Sequence, residues 1–426
     1  MTKRFIAIAL AAFMLIAMMA ACAPPPPPPA AQVDQPPADA PADAPADAPG
    51  DAPADTPGDA PGDDPGDDAL AAATGGDWKI GIMTGTISQS EEGYLMARLL
   101  EERFGADRII RTTYPDNFGA EMEVTIANIL AMVDAGARAI VVSDAVPGTI
   151  AAIQTTRELF GDDILFFAGW PHEPPEDISA HADVSVSLDV IGVGRVLAQQ
   201  AYDMGADTFA HVSFPRHLGV QTIATRRALF EQHAEALGMR YVELTTPDPS
   251  AEGVPATQMF VLENVPRWIE EHGPYTAFFT TNCAVLEPLM IQVARYGGLL
   301  PLPCCTGPFH GFPQAFNIDF QGREIDVEFA IEQLENTLAD AGALGRFGTM
   351  PLPISMLMLE LGVLYSIEFL EGRTNGRNDP VALNRIANEI ADRFVPGATV
   401  ALSNWELADG RALGNFHLIL QDIVVF

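Results

Sequence analysis

From Trp78 onward, short apolar runs alternate with longer amphipathic ones. WKIGIM (78–83), DRIIRTTY (107–114), ARAIVVSD (137–144), DILFFAG (163–169) and ADVSVSL (182–188) read as strands. Between them, SQSEEGYLMARLLEERFG (88–105), EMEVTIANILAMVDAG (121–136) and residues 149–160 place apolar side chains at three- and four-residue spacing, which predicts helices. A capping box from Ser88 to Glu91 is expected to open the first of these. Apolar strands separated by helices predict a parallel sheet covered on both faces. The pattern then restarts. DVIGVGRVLAQQAYDMG (189–205) is a helix, TFAHVSFP (208–215) a strand, and 220–237 a helix. RYVELTT (240–246), a helix near 257–271, TAFFTTN (276–282), the helix LEPLMIQVARYG (286–297) and the strand LLPLPCC (299–305) complete it. The expected fold is α/β, with two doubly wound parallel-sheet lobes of similar size around a ligand cleft. Ligands in such sheets sit beyond the carboxyl ends of the strands.

The residues before Trp78 follow other rules. Lys3 and Arg4 precede an almost unbroken apolar run, Phe5 to Ala20, laid out as a secretory leader and short for a membrane span. Ala20 and Ala21 lead into Cys22, and the junction resembles a bacterial lipobox, whose cysteine is acylated and becomes the first mature residue. Met19 is a permissive residue at the first motif position, and ordinary cleavage with an incidental thiol at Cys22 is the plainer alternative. Residues 1–21 are therefore expected to be the signal peptide. Residues 22–77 are expected to be the acylated cysteine with a disordered tether of Ala, Pro, Asp and Gly, too poor in apolar side chains to fold. Residues 78–188 are the expected first lobe, completed by part of 310–426; residues 189–309 are the second, and 310–426 cross between them.

The chain of 426 residues carries a formal charge of −34. Twelve aspartates of the tether and two bases of the leader leave −24 on residues 78–426. Such a surface argues against nucleic acid and against lying flat on an anionic bilayer. The helix MLMLELGVLYSIEFL (356–370) is short for a span and holds Glu360 and Glu368, so it is read as buried in the body.

Loops after the expected strands supply the candidate ligand-binding residues: Thr84, Thr86 and Ser88; Tyr114, Asp116 and Asn117; Asp144; Trp170, His172 and Glu173. The second lobe adds Phe214, Arg216 and His217, then Asn282, then Phe309 and His310. Aromatic faces with planar polar groups suit a small polar ring compound. Each has a plainer reading. Asp116 and Asn117 after Pro115 make a good turn, Trp170 caps a core, and Arg216 pairs with a carboxylate of this acidic chain. His172, Glu173, His217 and His310 could hold a metal, but no metal or cofactor is expected. Cys283, Cys304 and Cys305 follow neighbouring strands, as buried thiols or as a bridge from Cys283 to one of the pair. Without CxxC spacing they do not read as a structural zinc site. No nucleophile elbow, phosphate loop or HExxH motif points to an enzyme.

Leader, tether and cleft together resemble the type I periplasmic-binding fold of solute receptors for ABC importers. Asp189-Val-Ile-Gly-Val-Gly194-Arg resembles the D-x-x-G-x-G start at the crossover into its second lobe, although Gly192 and Gly194 alone are as consistent with close helix packing. GIMTGTISQSEEGY, TYPDNF, DAVPGT, AGWPHEPP, SFPRH, TPDPSAEGVPATQMF, FFTTNCA and PCCTGPFHGFP occur in the order of a family of bacterial lipoproteins of unassigned function. That resemblance runs from about Trp78 to Pro313. It implies the fold and export without supplying a ligand. The expected protein is an extracytoplasmic, lipid-anchored receptor that hands a small polar ligand, sugar- or nucleoside-like, to an ABC permease. The alternatives are a sensory lipoprotein reporting occupancy to a signalling partner, or an exported enzyme.

Overall fold

The computed structural model describes residues 78–426 except 321, 324 and 422; the expected leader, Cys22 and the tether lie outside the described residues. Five parallel strands form most of the first sheet. They are β1 (Ile80–Thr84), β2 (Ile109–Thr113), β3 (Ala139–Val142), β4 (Leu165–Gly169) and β5 (Val184–Leu188). All but β2 are buried along their whole length. Helices α1 (Glu91–Phe104), α2 (Met122–Asp134), α3 (Thr149–Phe160) and α4 (Pro175–Ser179) connect them. The expected capping box does not form. Residues 86–90 make a turn, with the Ser90 amide donating to the Thr86 carbonyl, and the helix opens at Glu91.

The second lobe begins with α5 (Val190–Asp203), whose Asp189 cap accepts from the amides of Ile191 and Gly192. Next come β6 (Thr208–Ser213), α6 (Pro215–Leu218), α7 (Gln221–Ala236) and β7 (Arg240–Thr245). Then follow α8 (Pro249–Glu252), α9 (Val254–His272), β8 (Thr276–Thr280) and α10 (Cys283–Tyr296). A Cβ on Gly194 would sit 2.8 Å from Leu229 Cβ, so this glycine lets α5 and α7 approach closely. The second sheet is parallel with order β7-β6-β8.

LLPLPCC departs from its expected strand. Among the described residues a single bridge, Leu299 to Ala277, joins it to β8, and another joins Leu300 to Phe347. Pro301 and Pro303 supply no ladder donors, so the run continues as irregular, buried chain.

The C-terminal part holds α11 (Phe312–Phe316), α12 (Val327–Asp340), β9 (Gly348–Thr349), α13 (Ile354–Leu370), α14 (Pro380–Phe394), β10 (Leu402–Glu406), β11 (Ala412–Ile419) and β12 (Val424–Val425). β11 pairs in parallel with β5, and β10 pairs antiparallel with β11. The first sheet therefore has seven strands, β10-β11-β5-β4-β3-β1-β2, and the two sheets are unequal rather than of similar size. The apolar helix of 356–370 is central packing. α13 is buried from Ile354 to Ile367 in a core that also holds Ile82, Val141, Phe167, Phe209 and Phe279 from both sheets. Its Glu360 is fully buried and held between Arg103, at 2.9 Å, and Arg393. Among the described residues no helix is long and apolar enough to cross a membrane.

Candidate functional site

The carboxyl ends of both sheets meet at a chamber of about 80 Å3. From the first lobe, Tyr114 follows β2, Asp144 follows β3, and Trp170, Pro171 and His172 follow β4. Gln89, Phe118 and Ser187 complete that wall. From the second lobe come Val220, Thr222 and Ile223 at the start of α7, His217 on α6, and Thr281, Asn282, Cys283 and Cys305 around α10.

Asp144 is the most elaborately held group. Ser143 Oγ donates to its carboxylate at 2.7 Å and Ser90 Oγ at 2.9 Å, and the Tyr114 hydroxyl also bonds to it. Burial nevertheless lifts its carboxyl to about 6. Gly85 is required beside it, because an added Cβ would lie 2.7 Å from the Tyr114 hydroxyl. Trp170 has a φ of +38°, an uncommon conformation for a large side chain, and so is placed against local preference.

Two imidazoles cross the gap. His172 and His217 meet edge to face with centroids 5.9 Å apart, and Phe118 packs edge-on to His172 at 5.7 Å. Burial, reinforced by the Arg216 charge, lowers His172 to about 4, and burial also holds His217 well below its ordinary range. Both are neutral near pH 7 and each offers one donor and one acceptor. His217 Nδ1 reaches Thr281 Oγ1 at 3.2 Å. Among the described residues, four buried polar atoms of wall side chains have no partner: Gln89 Nε2, Trp170 Nε1, His172 Nδ1 and His217 Nε2. Burying such groups unpaired costs about 1–3 kcal/mol each.

Several candidates named from sequence sit elsewhere. Thr84 is buried and donates to the Gly85 carbonyl. Thr86 Oγ1 bonds to Ser88 Oγ at 3.0 Å and donates to Asp116 at 2.6 Å, and none of the three lines the chamber. Asn117 shapes the turn into α2, its carbonyl accepting from Ala120 and Glu121. The Glu173 carboxylate accepts from the Ile150 amide at 3.0 Å and is spent on the start of α3. Phe214 is fully buried under His217, and Phe309 packs on Phe320 in the core. Arg216 pairs bidentately with Asp248 of its own lobe, at 2.7 and 3.0 Å, while its guanidinium lies over Phe118 of the other lobe at 4.9 Å. Asn282 both lines the chamber and caps α10, accepting from the Ala284 amide.

The four residues weighed as a metal set do not gather, because His310 lies outside this chamber. Its Nε2 is instead 3.4 Å from Cys304 Sγ. The three cysteines are free, with Cys283 Sγ 3.3 Å from that of Cys305 and 3.7 Å from that of Cys304. Gln89, Phe118, Thr222, Ile223 and Thr281 were not legible as site residues. Their approach depends on the turn before α1 and on how α7 crosses the second sheet.

Two doubly wound lobes meeting at their carboxyl edges are the type I periplasmic-binding fold. The chain belongs to the family described as a protein of unknown function, DUF3798, whose sequence model matches residues 78–348. An uncharacterized protein of Treponema pallidum (strain Nichols) is 37% identical over 169 residues, 39% of this chain and 77% of that one. The structure is similar to that of a putative transcriptional regulator from Clostridium difficile 630, with TM-score 0.63 and 18% identity over 82% of this chain and 99% of that one. It is also similar, at TM-score 0.49 and 12% identity, to LsrB from Clostridium saccharobutylicum in complex with AI-2, over 82% of this chain and 97% of that one.

Proposed function

We propose that the protein captures a small polar solute between its lobes, outside the cytoplasm. In this reading Cys22 is the acylated anchor, residues 22–77 are the tether, and an ABC-type permease receives the ligand. The observation that carries the reading is the set of four buried polar atoms, unpartnered among the described residues, on side chains that line one chamber from both lobes. Trp170 and the two neutral imidazoles give apolar faces and polar edges, while Asp144 accepts from hydroxyls, or donates when protonated. A sugar- or nucleoside-like ring presents the matching chemistry. The chamber as it stands has room for about half a dozen water-sized positions, so a full ring requires the lobes to stand slightly further apart.

Binding is favoured over catalysis by the form of this wall, in which donors and aromatic faces surround a single carboxylate. A thermal-shift screen of monosaccharides, nucleosides and small amides against the protein and its Trp170→Ala variant tests the reading. The expected result is stabilisation of the parent by one of these classes and a much weaker response of the variant. Equal stabilisation of both proteins would remove the chamber from the account.

A further inference from the structure

In the second-lobe wall of the chamber and just behind it, three thiols and an imidazole converge. Cys283 opens α10, and Cys304, Cys305 and His310 lie on the irregular segment that follows Leu300. Their three sulfurs and one imidazole nitrogen all lie within 4.8 Å of one another. A tetrahedral zinc site, with Zn–S of about 2.3 Å and Zn–N of about 2.0–2.1 Å, separates two sulfurs by about 3.8 Å and sulfur from nitrogen by about 3.6 Å. The separations here of 3.3 and 3.7 Å for sulfur pairs, and 3.4 Å from Cys304 to His310, fall close to those edges. Disulfide formation would need the sulfurs to close to about 2.05 Å.

The surroundings also suit a cation. His310 turns Nε2 toward the thiols, and its Nδ1 is buried without a protein partner. Glu92 is buried against this segment, with neither carboxyl oxygen bonded to another side chain among the described residues. A carboxylate behind a ligating imidazole is the usual outer support of a metal site. Gly307 makes room for it, because an added Cβ there would overlap Glu92 Oε1. Arg226 is buried near Cys304 and Cys305, with its Nε lacking a partner, and supplies a positive charge to offset three thiolates.

We propose that Cys283, Cys304, Cys305 and His310 bind a thiophilic d10 cation, zinc(II), in a closed tetrahedral site of three sulfurs and one nitrogen in the chamber wall. Binding takes the thiols as thiolates and releases their protons to solvent. Cys283 and Cys305 also line the chamber, so the ion ties the start of α10 to an irregular segment whose bridge to β8 is the single pair Leu299–Ala277 among the described residues. The metal thereby fixes one side of the solute site without occupying it.

The test uses the full chain carrying Cys22→Ala, so that the remaining thiols number three, purified without chelator or reductant. Elemental analysis is expected to find one zinc per chain. Replacement by cobalt(II) is expected to give thiolate-to-cobalt charge-transfer bands and the visible bands of a tetrahedral centre. His310→Ala and Cys304→Ser should abolish tight binding. Glu92→Gln keeps all four ligands and should weaken zinc binding about 10- to 100-fold. Should the ligand variants fail to fold, the cobalt spectrum of the parent decides alone. Three reactive thiols and no zinc uptake at micromolar metal would overturn the site. A disulfide from Cys283 in the native protein would overturn it equally.

Discussion

Arg216 offers the sharpest perturbation of the closed arrangement, because it joins two interactions of different reach. Its bidentate bond to Asp248 lies within the second lobe, whereas its position over Phe118 spans the lobes. The guanidinium is about a quarter exposed, with a side-chain exposure of 28%. At that exposure the cation–π contact is worth about 1 kcal/mol. Arg216→Ala should then shift the balance between open and closed lobes about fivefold toward open, with ligand affinity falling by a similar factor. Loss of the Asp248 partner should cost about 1 kcal/mol of stability in addition, after allowance for solvent screening. The unliganded melt is therefore expected to drop as well, unlike that of a residue whose only partner is the ligand. Arg216→Lys should not restore either property, since lysine lacks the planar fork. Phe118→Leu removes the ring and leaves Asp248 untouched. Small-angle scattering on the two single variants and the double variant gives the coupling between them, expected at about 1 kcal/mol. Strictly additive effects would show that the contact does not hold the lobes together.

Other outcomes separate site from scaffold. Trp170→Ala should lower ligand affinity about ten- to a hundredfold by loss of stacking and buried area, with little change in the unliganded melt, as checked by calorimetry. Glu173→Ala should do the reverse, costing about 1 kcal/mol of stability through the start of α3 while leaving affinity unchanged. Glu360→Ala should lower stability in denaturant titration by about 3–5 kcal/mol, because it removes a fully buried carboxylate that pairs with both Arg103 and Arg393. Burial lowers His417 from 6.5 to about 4, so the unfolded chain takes up a proton there before the folded one does. Stability from this group is complete above pH 6.5 and lost as pH falls toward 4, by about 3 kcal/mol in all. Denaturant titration of His417→Gln across that window should show a flatter decline, and an unchanged slope would remove His417 as the cause.

Strands such as Ile80–Thr84, Ala139–Val142 and Leu165–Gly169 are legible as apolar runs because a sheet covered on both faces buries every one of their residues. The C-terminal part was not legible in this way. β11 alternates in exposure toward its start, and it pairs with β5 across more than two hundred residues, a partnership no local pattern reveals. Prolines overruled the apolar run at 299–305. Site residues at strand ends, such as Tyr114, Asp144, Trp170 and His172, followed from topology alone. Phe309 and Glu173 also follow such ends, but their side chains turn into the core and toward α3, and spacing does not report that direction. The nearness of Cys283 to the 304–305 pair was readable from neighbouring strands. The addition of His310 was not, because it depends on the fold of an irregular segment.

Native mass spectrometry of the gently purified full chain tests most directly whether the chamber holds a solute. The expected result is one small polar molecule per chain, released on unfolding and weakened by Trp170→Ala. A single ligand-free mass, unchanged after soaking in spent growth medium, would contradict it.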